Sequence, residues 1–280
     1  MKYMGLSCSY RFGRLGATSA LLLFATCSSI AFGQESGGLL KIKNKTQAFQ
    51  VAALEQTEAL VTFHGQERSD SVKLSLKNES NKYITAFRVS EHKAQTTVSI
   101  DVDVVCWNRG IAPGTVHPIY LGRAPEDADD TPTVVIEAVV FDDRTSDGDP
   151  VVVAEIEAVR FAEKLQLTRI IDLIGDALAA PDADTSDALD RFKADVSALP
   201  VEDGVKEAVA KMSSGDRRVS DDTSGELIRG ARSGLRNAKE WAQSLFQIER
   251  EHETSGSVET SPRGTLKRTR EEYKRMVDRL

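Results

Sequence analysis

Little cysteine, few aromatic side chains and no long apolar run after residue 34 set the first limits on this chain. Three of its 280 residues are cysteine, and two of them, Cys8 and Cys27, lie in the leading segment. With that segment removed Cys106 stands alone, so no internal disulfide is available and stability must come from a packed core. Cys106 closes an apolar strand beside Trp107, the setting of a buried structural thiol. The histidines His64, His92, His117 and His252 show neither an i, i+4 pair nor an HExxH signature, so a zinc-binding helix is missing. There is no Gly-x-Ser-x-Gly elbow, no P-loop and no dinucleotide fingerprint. These absences lead to the expectation of no catalytic residue, no cofactor-binding residue, no metal ligand and no enzyme activity.

What is present begins at the N-terminus. Lys2, Arg11 and Arg14 precede an uncharged stretch from Leu15 to Gln34, centred on Leu21, Leu22, Leu23 and Phe24 and ending in Ala31-Phe32-Gly33. A positive start, a short apolar middle and small residues at the end predict a signal peptide over residues 1–33, and hence an exported protein, periplasmic or extracellular. Phe24-Ala25-Thr26 before Cys27 is a poor lipobox, so no lipid anchor is expected. Cleavage after Gly33 would leave 247 residues, and the loss of three positive charges takes the formal charge from −7 to −10. A chain this acidic is not expected to bind nucleic acid, which needs clustered Lys and Arg to displace counterions. Charge is unevenly spread: Glu126 to Glu155 holds ten carboxylates and one Arg, whereas Arg263 to Leu280 holds seven basic residues against three acids.

Two periodicities divide the rest. Val72, Leu74 and Leu76 alternate with Lys73, Ser75 and Lys77, and Val98, Ile100, Val102 and Val104 with Ser99, Asp101 and Asp103. A period of two marks strands with one covered face. Further strands are expected at Gln47–Leu54, Ala59–His64, Tyr83–Ser90, Thr115–Leu121 and Thr133–Asp142, about seven in all, predicting an antiparallel sandwich over 41–150. The last of these is apolar on both faces except for Glu137, which predicts a central strand covered on both sides. Asp149 as N-cap and Pro150 at the first helical position then open a helix to about Ala179. Helices follow around Leu189–Leu199, Val205–Met212 and Gly225–Glu251, the last weakened by Gly230 and Gly234, giving a helical region over 151–253. Residues 263–280 form a final amphipathic basic helix with Leu266, Tyr273 and Leu280 at heptad spacing, expected to pack within the chain.

The segment Leu74-Ser75-Leu76-Lys77-Asn78-Glu79-Ser80-Asn81-Lys82-Tyr83-Ile84 ends an apolar strand in Asn and passes through a Ser-containing turn into an aliphatic residue. Together with the Ile111-Ala112-Pro113-Gly114 turn, this resembles exported bacterial proteins with an immunoglobulin-like sandwich followed by a helical segment. The resemblance covers roughly residues 70 to 150. It implies a fold class, α+β with an N-terminal Ig-like β-sandwich, and a compartment, but no catalytic residues.

One segment carries candidate chemistry. Asp143, Thr145, Asp147 and Gly148 fall at positions one, three, five and six of a calcium loop, but the twelfth position is Ala154, where a bidentate Glu is required. An acidic strand-to-helix turn capped by Asp149 explains the same residues. Asp101 and Asp103 read as solubility devices on an outward face, and Asn44-Lys45-Thr46 and Asn78-Glu79-Ser80 fit the N-glycosylation pattern. The function expected is a non-catalytic binding or structural protein of the cell envelope. Its contact surfaces would be sheet edges and the basic helix around Lys267, Arg268, Arg270, Lys274 and Arg275. The alternative is an envelope hydrolase with a site near Asp142–Asp149.

Overall fold

The computed structural model describes residues 40–280, except 58–60, 64–65, 69–70, 94–95, 104–109, 123–131, 182–184, 214–220 and 255–260. The described strands all precede Pro150 and the helices all follow it. In chain order the strands are β1 (Lys41–Asn44), β2 (Phe49–Thr57), β3 (Val61–Phe63), β4 (Gln66–Arg68), β5 (Ser71–Asn78), β6 (Ile84–Lys93), β7 (Thr96–Asp103), β8 (Val116–Gly122), β9 (Thr133–Phe141) and β10 (Ser146–Gly148). The helices are α1 (Pro150–Ala179), α2 (Ser186–Ala198), α3 (Glu202–Ser213), α4 (Asp221–Thr254) and α5 (Pro262–Arg279).

Two sheets share one core. The larger has the order β1-β9-β6-β7, with β10 also on β9; the smaller has the order β2-β5-β8. Phe49, Val72, Leu74, Leu76, Ile119 and Leu121 from the smaller sheet pack against Phe87, Val89, Ile100, Val134, Ile136 and Val139 from the larger. Phe49 and Phe87 meet edge to face at 5.1 Å. Each such apolar side chain contributes roughly 1.5–3 kcal/mol when fully buried. The expected antiparallel arrangement needs one correction: β1 runs parallel to β9, Lys41 opposite Thr133 and Asn44 opposite Ile136. The acidic turn before α1 also contains a strand, β10, which folds back onto β9.

β9 is covered on both faces, as its composition predicts. Val134, Ile136, Val139 and Phe141 enter the core between the sheets. Ala138 and Val140 join Ala86 of β6 on the other face, beneath Val153 and Ile156 of α1. Helix α1 thus begins on the sheet and continues as the centre of the helical half. Its Leu167, Ile170 and Ile174 pack with Phe192 and Val196 of α2, Ala238 and Ala242 of α4, and Leu266 and Tyr273 of α5. Its Ala162 packs with Val205 and Ala208 of α3 and with Ala231 and Leu235 of α4. The helix ends where Pro181 requires, with Ala180 extended before it.

The two glycines of α4 correct a sequence expectation. Neither is a weak point, because both lie against the backbone of α1. A Cβ on Gly230 would sit 2.6 Å from the Glu155 carbonyl oxygen, and one on Gly234 would sit 2.1 Å from that of Val159. Asn237 then meets Glu163 at 3.0 Å. The contacts advance in step along both helices, so α4 runs parallel to α1, closer than any side chain at these positions would permit. Gly234→Ala gains about 1 kcal/mol of helix propensity but must push the backbones apart. We expect a net loss of at least about 2 kcal/mol, read as a lower urea midpoint at unchanged slope. A neutral or stabilising result would remove the close contact from the account.

Candidate functional site

The junction between β9 and α1 is the one place where the sequence suggests chemistry, and two β-bulges build it. Ala138 pairs with Arg88 and Ile136 with Val89, leaving Glu137 as an extra residue on β9. Thr85 is likewise extra on β6, between Ile84 and Ala86. Bulges re-aim side chains and bend strands, and both are used here. The Glu137 carbonyl accepts the Asp149 amide at 2.9 Å. Gly148, at φ +105°, passes so close that a Cβ would lie 2.3 Å from the same oxygen. Only glycine fits there.

Three acidic residues of the turn, Asp143, Asp147 and Asp149, are committed to structural partners. Asp143 Oδ1 accepts from the Thr145 amide at 3.0 Å and hydroxyl at 2.5 Å. Its Oδ2 lies 2.7 Å from Lys82 Nζ. Lys82, followed by the Thr145 hydroxyl and amide, lowers the Asp143 pKa to about 2. Asp147 Oδ2 accepts the Gln47 and Ala48 amides at 2.6 and 3.1 Å, tying the β1–β2 turn to β10. Asp149 Oδ1 caps α1 through the Val151 amide at 3.1 Å, while Oδ2 pairs with Lys45 at 3.2 Å. Partial burial opposes ionisation of Asp149, but Lys45 and the Val151 amide outweigh it and its pKa is lowered. The calcium-loop residues therefore do not converge on an ion. Among the described residues no group of three or more His, Cys, Asp or Glu is arranged to hold a metal.

The outer face of the larger sheet holds the residues that sequence reasoning missed. Arg88 of β6 pairs with Glu155 of α1, their side chains only 8% and 12% exposed. Glu155 also receives Arg229 Nε of α4 at 3.0 Å, and Arg229 reaches Glu226 at 3.0 Å. Arg160 of α1 grips Asp103 of β7 through Nε at 2.7 Å and Nη2 at 3.1 Å, and donates to the bulged Thr85 hydroxyl at 3.0 Å. Asp103 is thus a helix clamp and not the solubility device expected; the side chain of Asp101 lies outside the described residues. The available signal was Arg88, a lone cation inside the apolar run Ala86-Phe87-Arg88-Val89.

The remaining candidates separate. His117 is half-buried against the Phe87 ring at 5.8 Å, and desolvation lowers its pKa. His92 Nδ1 lies 3.1 Å from Thr97 Oγ1, and its Nε2 is 3.9 Å from Glu137, too long for that carboxylate to orient the ring. His64, Cys106 and the His252 side chain lie outside the described residues. Both glycosylation-type tripeptides are turns: Asn44 Oδ1 accepts from the Thr46 amide and hydroxyl at 3.0 Å each, and Asn78 Oδ1 from those of Ser80 at 3.0 and 2.7 Å. Asn78 is fully buried, donating to the Lys82 and Ile111 carbonyls at 2.9 and 2.8 Å. The spacing of that motif is the spacing of an Asx turn.

No protein-family model, curated protein or solved structure matches this chain.

Two outcomes follow from the engaged carboxylates. The melting midpoint should be the same with excess Ca²⁺ as with EDTA, and a shift of several degrees on calcium addition would restore the ion site. A carboxylate whose pKa is depressed on folding contributes stability above its unfolded pKa, near 3.9, which is lost as pH falls toward the folded value. Asp143→Asn should therefore lower stability at pH 7 and flatten the acid loss between about pH 4 and 2, measured by urea unfolding at each pH.

Proposed function

We propose that this chain is an exported, non-catalytic binding or structural protein of the cell envelope or periplasm, built as an immunoglobulin-like sandwich rigidly joined to a helical layer. The carrying observation is the sealed junction. Val153 and Ile156 lie on Ala86, Ala138 and Val140, and the Arg88–Glu155 and Arg160–Asp103 pairs flank them. A hydrolase at this place would need carboxylates free to take and give protons. Asp143, Asp147 and Asp149 instead hold a lysine, two backbone amides and a helix end. The sandwich reading draws on the two facing sheets and on the Asn78 and Pro113-Gly114 turns. Export rests on residues 1–33. Among the described residues no helix is long and apolar enough to cross a membrane.

Of the two contact surfaces expected, the sheet edges at β1, β8 and β2 are blunted, while β7 forms the other edge of the larger sheet. β1 carries Lys41 and Lys43, β8 carries Pro118, and β2 is bulged at Ala52. Lysine, proline and bulges are the devices by which edge strands avoid pairing with other chains. The basic helix α5 is the other contact surface of this reading.

Expression in a Gram-negative bacterium tests the reading. The chain should appear in the periplasmic fraction beginning at Gln34, and removal of residues 1–33 should hold it in the cytoplasm. The exported protein should turn over no ester, peptide or glycan faster than its Asp143→Ala plus Asp147→Ala variant. Cytoplasmic retention of the whole chain sinks the export claim; turnover that the double variant loses sinks the non-catalytic one.

A further inference from the structure

The two packed sheets have four edges, and one of them lacks the guards of the other three. β1 carries lysines, β8 carries Pro118 and β2 is bulged between Val51 and Ala53. β7 contains neither Lys nor Pro. It pairs with β6 over eight consecutive positions, from Ala86–Asp103 to Lys93–Thr96, with no shift of register. Among the described residues no strand lies on its far side. A long, regular edge of this kind presents a row of amides and carbonyls that a further strand can take up.

A strand joining this edge must alternate in step with it. On the inner side it meets Ile100, buried in the core, with Val102 packed beside it. On the outer side it meets Thr97, Ser99 and Asp103, the last held by Arg160. β7 itself carries the required alternation. Paired antiparallel about a two-fold axis at Ile100, each Ile100 faces its own copy and valine positions 98 and 102 face each other. The acidic positions 101 and 103 then fall opposite Ser99 and Thr97, and never opposite an acid. Sliding one copy by two residues sets Asp101 opposite Asp101 in one direction and Thr96 opposite Val102 in the other. Like charges directly opposite each other destabilise a strand pair, and a shift by one residue would mix the two faces. The strand is therefore complementary to itself in one register.

We propose that β7 is a self-association edge: two copies of this chain pair their β7 strands antiparallel about a two-fold axis at Ile100. The pairing uses the open edge of both copies at once, so it closes at a dimer. The joined sheet then ends on both sides at β1, where Lys41 and Lys43 oppose further growth. The inference extends the reading above by naming the partner of one sheet edge. It is measured on purified protein, so it can fail without touching export or the absence of catalysis.

The test is sedimentation equilibrium of the chain from Gln34 onward, a start that removes none of the described residues. A dilution series should show a reversible monomer–dimer equilibrium with no larger species. Thr97 is exposed. Thr97→Glu sets an acid opposite Asp103, twice across the axis, and should weaken the dimer about tenfold. Thr97→Lys loses the same hydroxyl but sets a cation there, and should bind at least as tightly as the parent. Both variants should melt within a few degrees of the parent under dilute conditions. Amide exchange in β7 should slow as the parent is concentrated, which reads the edge without any substitution. A monomer at every concentration overturns the proposal, as does a dimer whose β7 amides exchange no more slowly. Larger assemblies overturn the two-fold closure. Equal weakening by Thr97→Glu and Thr97→Lys overturns the register, and an unaltered dimer in Thr97→Glu does the same.

Discussion

The approach of α4 to the backbone of α1 is the contact on which the rest of this structure depends. At Gly230 and Gly234 there is room for hydrogen and nothing larger, and the neighbouring Ala158 and Ala162 continue the same narrow seam. Two helices seated this closely have one register and one azimuth. That fixes which side of α1 remains for α3, for α2 and α5, and, at its first turns, for the sheet. The glycines lose helix propensity of about 1 kcal/mol each, and the packing they permit outweighs it. Interior packing near crystalline density leaves no slack to absorb an added methyl group.

The ionic contacts at the junction do different work. Arg88 and Glu155 are largely removed from water, and a buried pair of this kind recovers its desolvation cost only when the remaining donors and acceptors are met. Here Arg229 supplies part of that, so three elements share one carboxylate. The pairs set the angle at which α1 crosses the sheet more than they set its net stability. Apolar contact under Val153 and Ile156 supplies the adhesion, and the charges disfavour competing placements, since any other breaks the Arg88–Glu155 and Arg160–Asp103 pairs.

Much of this was legible in the chain because it is local. Alternation at Val72–Lys77 and helical spacing at Leu167–Leu178 state their periods without reference to anything else. Asp149-Pro150 marks a helix start to the residue, because capping is a matter of a few adjacent dihedrals. What escaped was relational. A bulge at Glu137 exists only against β6, and the parallel β1 only against β9. Gly230 reads as a defect until the Glu155 carbonyl is placed opposite it. Asp143, Thr145 and Asp147 carry the alternation of a metal loop, yet which way each carboxylate turns was decided by Lys82 and by the amides of Gln47 and Ala48, far away in sequence. Of the candidate site, sequence located the segment and missed its purpose; Arg88 stood out as a lone cation in an apolar run, but Arg160 and Arg229 had no local pattern to announce them.

The joint at Gly148-Asp149-Pro150 has a mechanical consequence. There is no linker between strand and helix: Gly148 is still paired to Ala138, Asp149 is bonded to Glu137, and α1 has already begun at Pro150. Thirty residues at 1.5 Å each make α1 a rod of roughly 45 Å clamped at one end. Such a rod is a cantilever. A small tilt at its root would sweep the far end, where Leu178 meets the core shared with α2 and α5, through a much larger arc, and one residue inserted at the root would turn it by about 100°. The direction of α1, and with it the placement of the helices packed on it, is therefore set within the few residues of this joint.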